Sequence, residues 1–181
     1  YLGGNHFGAR AFANNFDHEG MREAIEYCHL RDVKVYVTMN TLLFETEIDK
    51  AIEEAYFLYK AGADALLVQD LGLIQRLRKQ LPDMPIHAST QLHIHNLEGV
   101  EVCKSLGFER VVVARETPIE AVKKFHDVTG MDIEVFAYGA LCVSYSGQCL
   151  MSSITQQRSG NRGICAQCCR MKYDLKENGK K

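Results

Sequence analysis

No run of eighteen apolar residues occurs in this chain of 181 residues, which argues against a membrane-spanning helix. No positively charged leader precedes an apolar stretch at Tyr1-Leu2-Gly3-Gly4, so no secretory signal is visible and a cytoplasmic protein without membrane contact is expected. The sequence does not open on Met and its first residues read as a strand stub, so a fragment of a longer chain is expected. Also missing are a Gly-rich dinucleotide turn opening a helix, a Gly-x-Ser-x-Gly elbow and a His-Glu-x-x-His helix, which removes the usual signatures of a nucleotide-binding sheet, a serine hydrolase and a zinc peptidase.

What is present is globular: 46% apolar and 24% charged residues suffice for one ordinary core. The net charge of -2 conceals an asymmetry. Residues 1–150 carry 14 Lys and Arg against 21 Asp and Glu, whereas residues 151–181 carry 7 against 2. A basic terminal segment could face an anionic partner near the cysteines, although such a segment is more often a solvated surface.

Short β-rich runs alternate with helical ones. Strands are expected at Tyr1 to Gly4, Val33 to Asn40, Ala65 to Asp70, Pro85 to Ser89, Arg110 to Arg115 and Ile133 to Tyr138. Between them the period is helical, as in Ala51, Ala55, Leu58, Tyr59 and Ala61, with Gly62 suited to a helix C-terminus. Strands such as ALLVQ and VVVA are nearly all apolar, as in a covered parallel sheet. The expected fold is α/β, a TIM-like (β/α) barrel. Residues 1–139 supply about six of eight strands, and 140–181 form a cysteine-rich basic segment continuing the same domain. The missing strands are expected before Tyr1 and after Lys181.

Barrel sites gather at the C-terminal ends of strands. That rule selects Asn40, Gln69, Asp70, Ser89, Gln91 and Glu116 as candidate substrate-binding residues, with Arg158 and Arg162 added from the basic segment. Arg115, Glu134 and Tyr138 are candidate catalytic residues. Glu134 inside an apolar strand is either a paired carboxylate or a general acid or base with a raised pKa.

The strongest chemical signal is EVFAYGALCVSYSGQCLMS followed by SGNRGICAQCCR. An odd total of seven cysteines, crowded here, suits metal or redox chemistry better than a disulfide framework. Candidate metal ligands are Cys142, Cys149, Cys165 and Cys169. Thiolates in tetrahedral arrays hold an iron-sulfur cluster or, alternatively, zinc, and unmetallated cysteines remain a third reading. Cys28 and Cys103 lie in helical patterns and are assigned to packing. His87, His93 and His95 match no metal motif and read as structural. Gly3, Gly4 and Gly8 lack the spacing of a phosphate loop.

In Glu134, Phe136, Gly139, Ala140, Leu141, Cys142, Gly147, Cys149, Met151 and Ser152 the sequence resembles the signature of the collagenase-like peptidase family, U-thirty-two. ARAFANNF, VYVTMNTL, VQDLG, HASTQ and NRGICAQ extend the resemblance over nearly the whole chain. Two positions depart from the family pattern: Tyr138 where His is frequent, and Cys168 where Pro is usual.

The resemblance implies a barrel-like catalytic domain and a cluster bound by Cys142, Cys149 and Cys165, with a fourth cysteine downstream of Lys181 and Cys169 as a spare or alternative ligand. It also implies an enzyme. Some members are linked to oxygen-independent hydroxylation of tRNA or rRNA bases or of a quinone precursor, and that reading, with RNA as partner, ranks first. A peptidase acting on a peptide substrate, through a Cys-His pair for example, ranks second. A non-catalytic accessory module is the third.

Overall fold

A computed structural model describes residues 1–139 and 141–175. Ala140 of the signature and the last six residues of the basic segment lie outside the described residues. Six strands form one sheet: β1 (Leu2–Gly3), β2 (Tyr36–Met39), β3 (Ala65–Val68), β4 (Ile86–Ala88), β5 (Arg110–Val112) and β6 (Asp132–Glu134). They run parallel in the order β1-β2-β3-β4-β5-β6, without reversal. Helices α1 (His18–His29), α2 (Ile48–Ala61), α3 (Leu71–Gln80), α4 (Leu97–Ser105) and α5 (Ile119–Thr129) connect them, and a short α6 (Met151–Gln156) lies in the C-terminal segment.

Local chemistry sets the boundaries. Asp17, Asp70 and Asn96 cap α1, α3 and α4 by accepting from the amides of Gly20, Leu73 and Gly99 at 2.8–2.9 Å, satisfying donors that the first helical turn leaves open. Gly62 ends α2 at φ 91°, the left-handed geometry that glycine adopts without strain.

Alternation along the strands divides the sheet into two faces. Val37, Met39, Leu66, Val68, Ile86 and Val111 point into the core beneath the helices, where Met21, Ile25, Ala55, Leu58 and Leu77 meet them. The α2 stripe consists of Ile48, Ala51, Ile52, Ala55 and Leu58, and Tyr59, expected with them, is exposed instead. On the opposite face stand Tyr36, Thr38, His87, Ser89, Arg110 and Glu134. Both β3 and β4 are buried along their whole lengths, but β4 carries His87 on the open face, so the expectation of a sheet apolar on both faces holds at β3 and fails at its polar-faced neighbours.

The strands are shorter than the sequence suggests. Their polar ends leave the ladder because their side chains are recruited to start the next element: Asp70 caps α3, and Ser89 caps a 3₁₀ turn at Thr90–Leu92. β6 ends at Glu134, the last residue paired with β5. Tyr138, placed on a strand end by the sequence pattern, lies instead in a bend, 100% exposed, and lines neither of the two cavities described below.

On the open face the sheet curves enough for its first and last strands to communicate. Tyr1 donates to Glu134, and Arg110 reaches Glu134 at 3.5 Å and Asp132 at 3.2 Å. Glu134 is thus paired with Tyr1 and Arg110 in this fold. Burial, with Glu134 beside it, raises the Tyr1 phenol well above its ordinary pKa. His87, packed edge-on against Tyr36 at 4.8 Å, is pushed down to about 4, first by burial and then by the Arg110 charge.

Candidate functional site

Loops after β1, β4 and β5 meet the C-terminal segment around a cavity of about 660 Å³. Cys142, Cys149, Cys165 and Cys169 all line it. Cys168 does not: only 3% exposed, its thiol contacts Thr155 Oγ1 at 3.2 Å beneath α6. A 3₁₀ turn at Cys168–Arg170 sends one of two adjacent cysteines inward and the other to the cavity. Cys103 is buried, its thiol pushed up to about 11 by burial, and Cys28 packs against the core, so both have the expected packing role. All seven cysteines are free.

Two glycines seat this segment on the sheet. Gly147, at φ 70°, presses on Gln91, where a Cβ would stand 2.3 Å from the backbone oxygen; at Gly163, φ 77°, a Cβ would stand 2.4 Å from the Gly8 oxygen. No other residue type fits without moving backbone. Around them, Ala11 donates to the Gly163 carbonyl and Leu42 to that of Asn161, both at 3.1 Å.

Several residues singled out as candidate substrate contacts also hold this seam. Glu116 accepts from the Ser146 amide at 2.9 Å and its hydroxyl at 3.2 Å. Burial works against its charge, but its own amide and Ser146 hold its carboxyl below the usual range. Arg162 forms a bidentate pair with Glu47 at 2.7 and 2.9 Å, donates to the Leu42 carbonyl and lies over the Phe44 ring. Arg158 donates to the Ile164 carbonyl at 2.9 Å and covers Phe12. Asp70 takes the Leu43 amide besides its cap. Gln69 donates to the carbonyls of Asn40 and Asn161. Arg162 thus commits its guanidinium to Glu47 and Leu42 inside the fold, whereas Arg158 bonds through Nε alone.

Gln91 and Arg115 do line the cysteine cavity. Arg10 and Arg170 join them, with no carboxylate in the lining among the described residues. Arg115 Nε is buried with no hydrogen-bond partner among the described residues. Arg10 was not singled out from sequence, although its position just after the early glycines was a usable signal. The Gln167 amide points at Cys165 Sγ at 3.3 Å. Among the described residues no three of His, Cys, Asp or Glu stand close enough to hold a single metal ion.

A second cavity, about 430 Å³, opens on the polar face of the sheet and contains Asn40, Ser89 and Glu134. Asn40 accepts from the Ala9 amide at 2.9 Å and donates to Ser89 Oγ at 3.0 Å. Strand ends thus feed two adjoining sites rather than one.

Comparison with known proteins now decides the affiliation. Residues 1–181 match Peptidase family U32 over their whole length. The chain belongs to that family. Among family relatives, a 23S rRNA 5-hydroxycytidine synthase of Escherichia coli is 40% identical over 98% of this chain and 27% of its own length. The tRNA hydroxylation protein P of the same organism is 34% identical over 98% of this chain and 39% of its own. A collagenase of Porphyromonas gingivalis is 32% identical over 91% and 42%. The chain therefore spans roughly a quarter to two fifths of the curated relatives it matches. A solved structure of a U32 peptidase superposes with a TM-score of 0.61 at 14% identity, covering 74% of this chain and 58% of that one, a likeness of fold. No helix among the described residues is long and apolar enough to cross a membrane.

Proposed function

We propose that this U32 chain is the cluster-binding part of a cytoplasmic, oxygen-independent RNA hydroxylase, and that its sheet is six strands of a (β/α) barrel. The observation that carries the functional reading is the single cavity lined by four thiols and three arginines. The unreversed strand order and the meeting of Tyr1 with Glu134 support the barrel. The names of the relatives supply the substrate class, since two of them carry hydroxylation of RNA in their names.

Four thiols share one cavity, and arrays of cysteine thiolates are the donor set that an iron-sulfur cluster takes, with zinc as the alternative. The amide at Cys165 Sγ is the contact that stabilises a metal-bound thiolate. Cys142, Cys149, Cys165 and Cys169 would hold the group, with a cysteine downstream of Lys181 as an alternative to Cys169. When bound, such a cluster supplies one-electron redox chemistry. The chain itself contributes cationic walls: Arg10, Arg115 and Arg170 face the cavity, offset the negative charge of thiolates, and bring RNA phosphate near. Gln91 offers an amide beside them. Among the described residues Cys168 Sγ contacts Thr155 Oγ1 and Cys165 Sγ the Gln167 amide, and neither contact is the imidazole that a Cys-His nucleophile uses.

The test is anaerobic purification of the full-length parent protein, with iron, acid-labile sulfide and the visible spectrum measured for the native sequence, for Cys142→Ala with Cys149→Ala, and for Cys168→Ala. Stoichiometric iron and sulfide, lost in the double variant and retained in Cys168→Ala, are expected, together with a missing hydroxylated nucleoside in a deletion strain. Zinc-only or metal-free native protein refutes the reading and leaves peptidase assays as the next step.

A further inference from the structure

The cavity on the polar face of the sheet has no part in holding the cysteines, yet it adjoins their cavity: Ala9, Arg10 and Ala13 line both. Resting on the RNA reading above, we propose that it receives one nucleoside unstacked from RNA, its base lying on the sheet beside the cysteine cavity.

The size suits this occupant. About 430 Å³ falls in the ~300–1,000 Å³ range of small-ligand sites. The floor mixes apolar and polar side chains: Thr38, Leu67 and Val112 stand on β2, β3 and β5, and Asn40 and Ser89 directly follow β2 and β4. Ser89 Oγ accepts from Asn40 Nδ2 at 3.0 Å and from the Gln91 amide at 3.3 Å, which leaves its hydroxyl hydrogen for a ligand carbonyl. Asn40 keeps a second Nδ2 hydrogen. Thr38 Oγ1 donates to the Leu2 carbonyl at 3.3 Å, so its lone pairs remain to accept from an amino or imino group. Donors and acceptors alternating over one surface match the Watson–Crick edge of a base.

The sides are aromatic. Phe16 and Phe136 both line the cavity, 37% and 62% exposed. Exposed rings beside the polar groups offer the stacking that a base loses when it leaves a helix. Charge is sparse: apart from Glu134, tied to Tyr1 and Arg110, the charged lining residue is Arg10. Arg10, shared with the cysteine cavity, is placed to meet the phosphate of a nucleoside whose base occupies this one. A paired base shows neither its stacking faces nor its Watson–Crick edge, so the substrate would be flipped or single-stranded at that position.

The experiment titrates the anaerobically prepared full-length parent protein with cytidine, uridine and adenosine 5'-monophosphates, and with ribose 5-phosphate, by saturation-transfer NMR and calorimetry. Phe136→Ala and the near-isosteric Thr38→Val are compared with the native protein, their folding checked by circular dichroism. Nucleotide binding that exceeds ribose 5-phosphate binding, and that falls roughly ten- to a hundredfold in Phe136→Ala as lost base stacking requires, is the expected result. The pyrimidine and purine arms say which base is accepted. Ribose 5-phosphate binding as tightly as the nucleotides, no nucleotide binding, or unchanged affinity in both variants overturns the proposal. Iron and sulfide present without nucleotide binding remove this pocket and leave the cluster reading standing; nucleotide bound equally by the metal-free Cys142→Ala, Cys149→Ala protein supports the pocket independently of the cluster.

Discussion

The helix-covered sheet and the C-terminal segment of this chain are held by different forces. Residues 1–134 enclose a continuous apolar core from Met21 to Met131. Residues 141–175 contribute one buried apolar side chain, that of Cys168. The segment instead follows the sheet through glycine contacts, backbone hydrogen bonds and the Arg162–Glu47 pair. A core formed by burial of apolar area has one favoured shape. A segment fixed by directional contacts takes its shape from what it is laid against, so the cysteine cavity depends on the body beneath it.

The sharpest way to break that dependence is Gly163→Ala. Left-handed backbone strain and the collision with Gly8 together predict a loss of about 2–4 kcal/mol in the segment's attachment. Limited proteolysis should show cleavage within 141–175 while the sheet stays protected. Gly130→Ala, at φ 66° with nothing within 4 Å of the added Cβ, tests strain alone and should cost only about 1–2 kcal/mol. Equal effects at the two sites would mean that the Gly8 contact contributes nothing.

Acid should separate the two regions by a different route. His87 has a folded-state value near 4, below its ordinary 6.5. The unfolded chain therefore takes up the proton first, and stability falls as pH drops from about 6.5 towards 4, by up to roughly 3 kcal/mol. Chemical denaturation of His87→Gln across this window should show a flatter limb; an unchanged slope would mean that His87 is not the titrating group.

Smallest is the effect of the segment's ion pair. The Arg162 guanidinium and the Phe44 amide hold the Glu47 carboxyl below its ordinary 4.5. Its contribution is present above that value and lost as pH falls through the folded one. Arg162→Ala should cost about 0.5–1 kcal/mol at neutral pH and nothing further in acid, checked by proteolytic susceptibility of the segment at pH 7 and pH 3.

Much of the body was legible beforehand because its signals are local. Helical spacing in α2, Gly62 behind it and the apolar runs of β3 and β5 are each decided within a few residues. The gathering of cysteines at one end of the chain was legible from thiol density alone, and four of them line one cavity. Less visible were the roles of the strand-end polar residues. Asp70, Glu116 and Arg162 have the types expected of substrate contacts, yet a carboxylate that caps a helix or clasps Ser146 looks the same in sequence as one that awaits a ligand. Tyr138 failed for a related reason: where β6 stops depends on where β5 stops pairing with it.

The sequence by itself determined an α/β chain of alternating strands and helices, a place in the U32 family, and a thiol-rich end suited to metal chemistry, because side-chain periodicity and residue type are properties of neighbours along the chain. Tertiary structure alone decided that Cys168 turns inward while Cys169 reaches the cavity, that Arg10 joins Arg115 and Arg170 there, and that Thr38, Asn40 and Ser89 floor a second cavity beside it. Those outcomes rest on contacts between residues distant in sequence, brought together by the pairing of the strands and by the packing of the C-terminal segment across their ends.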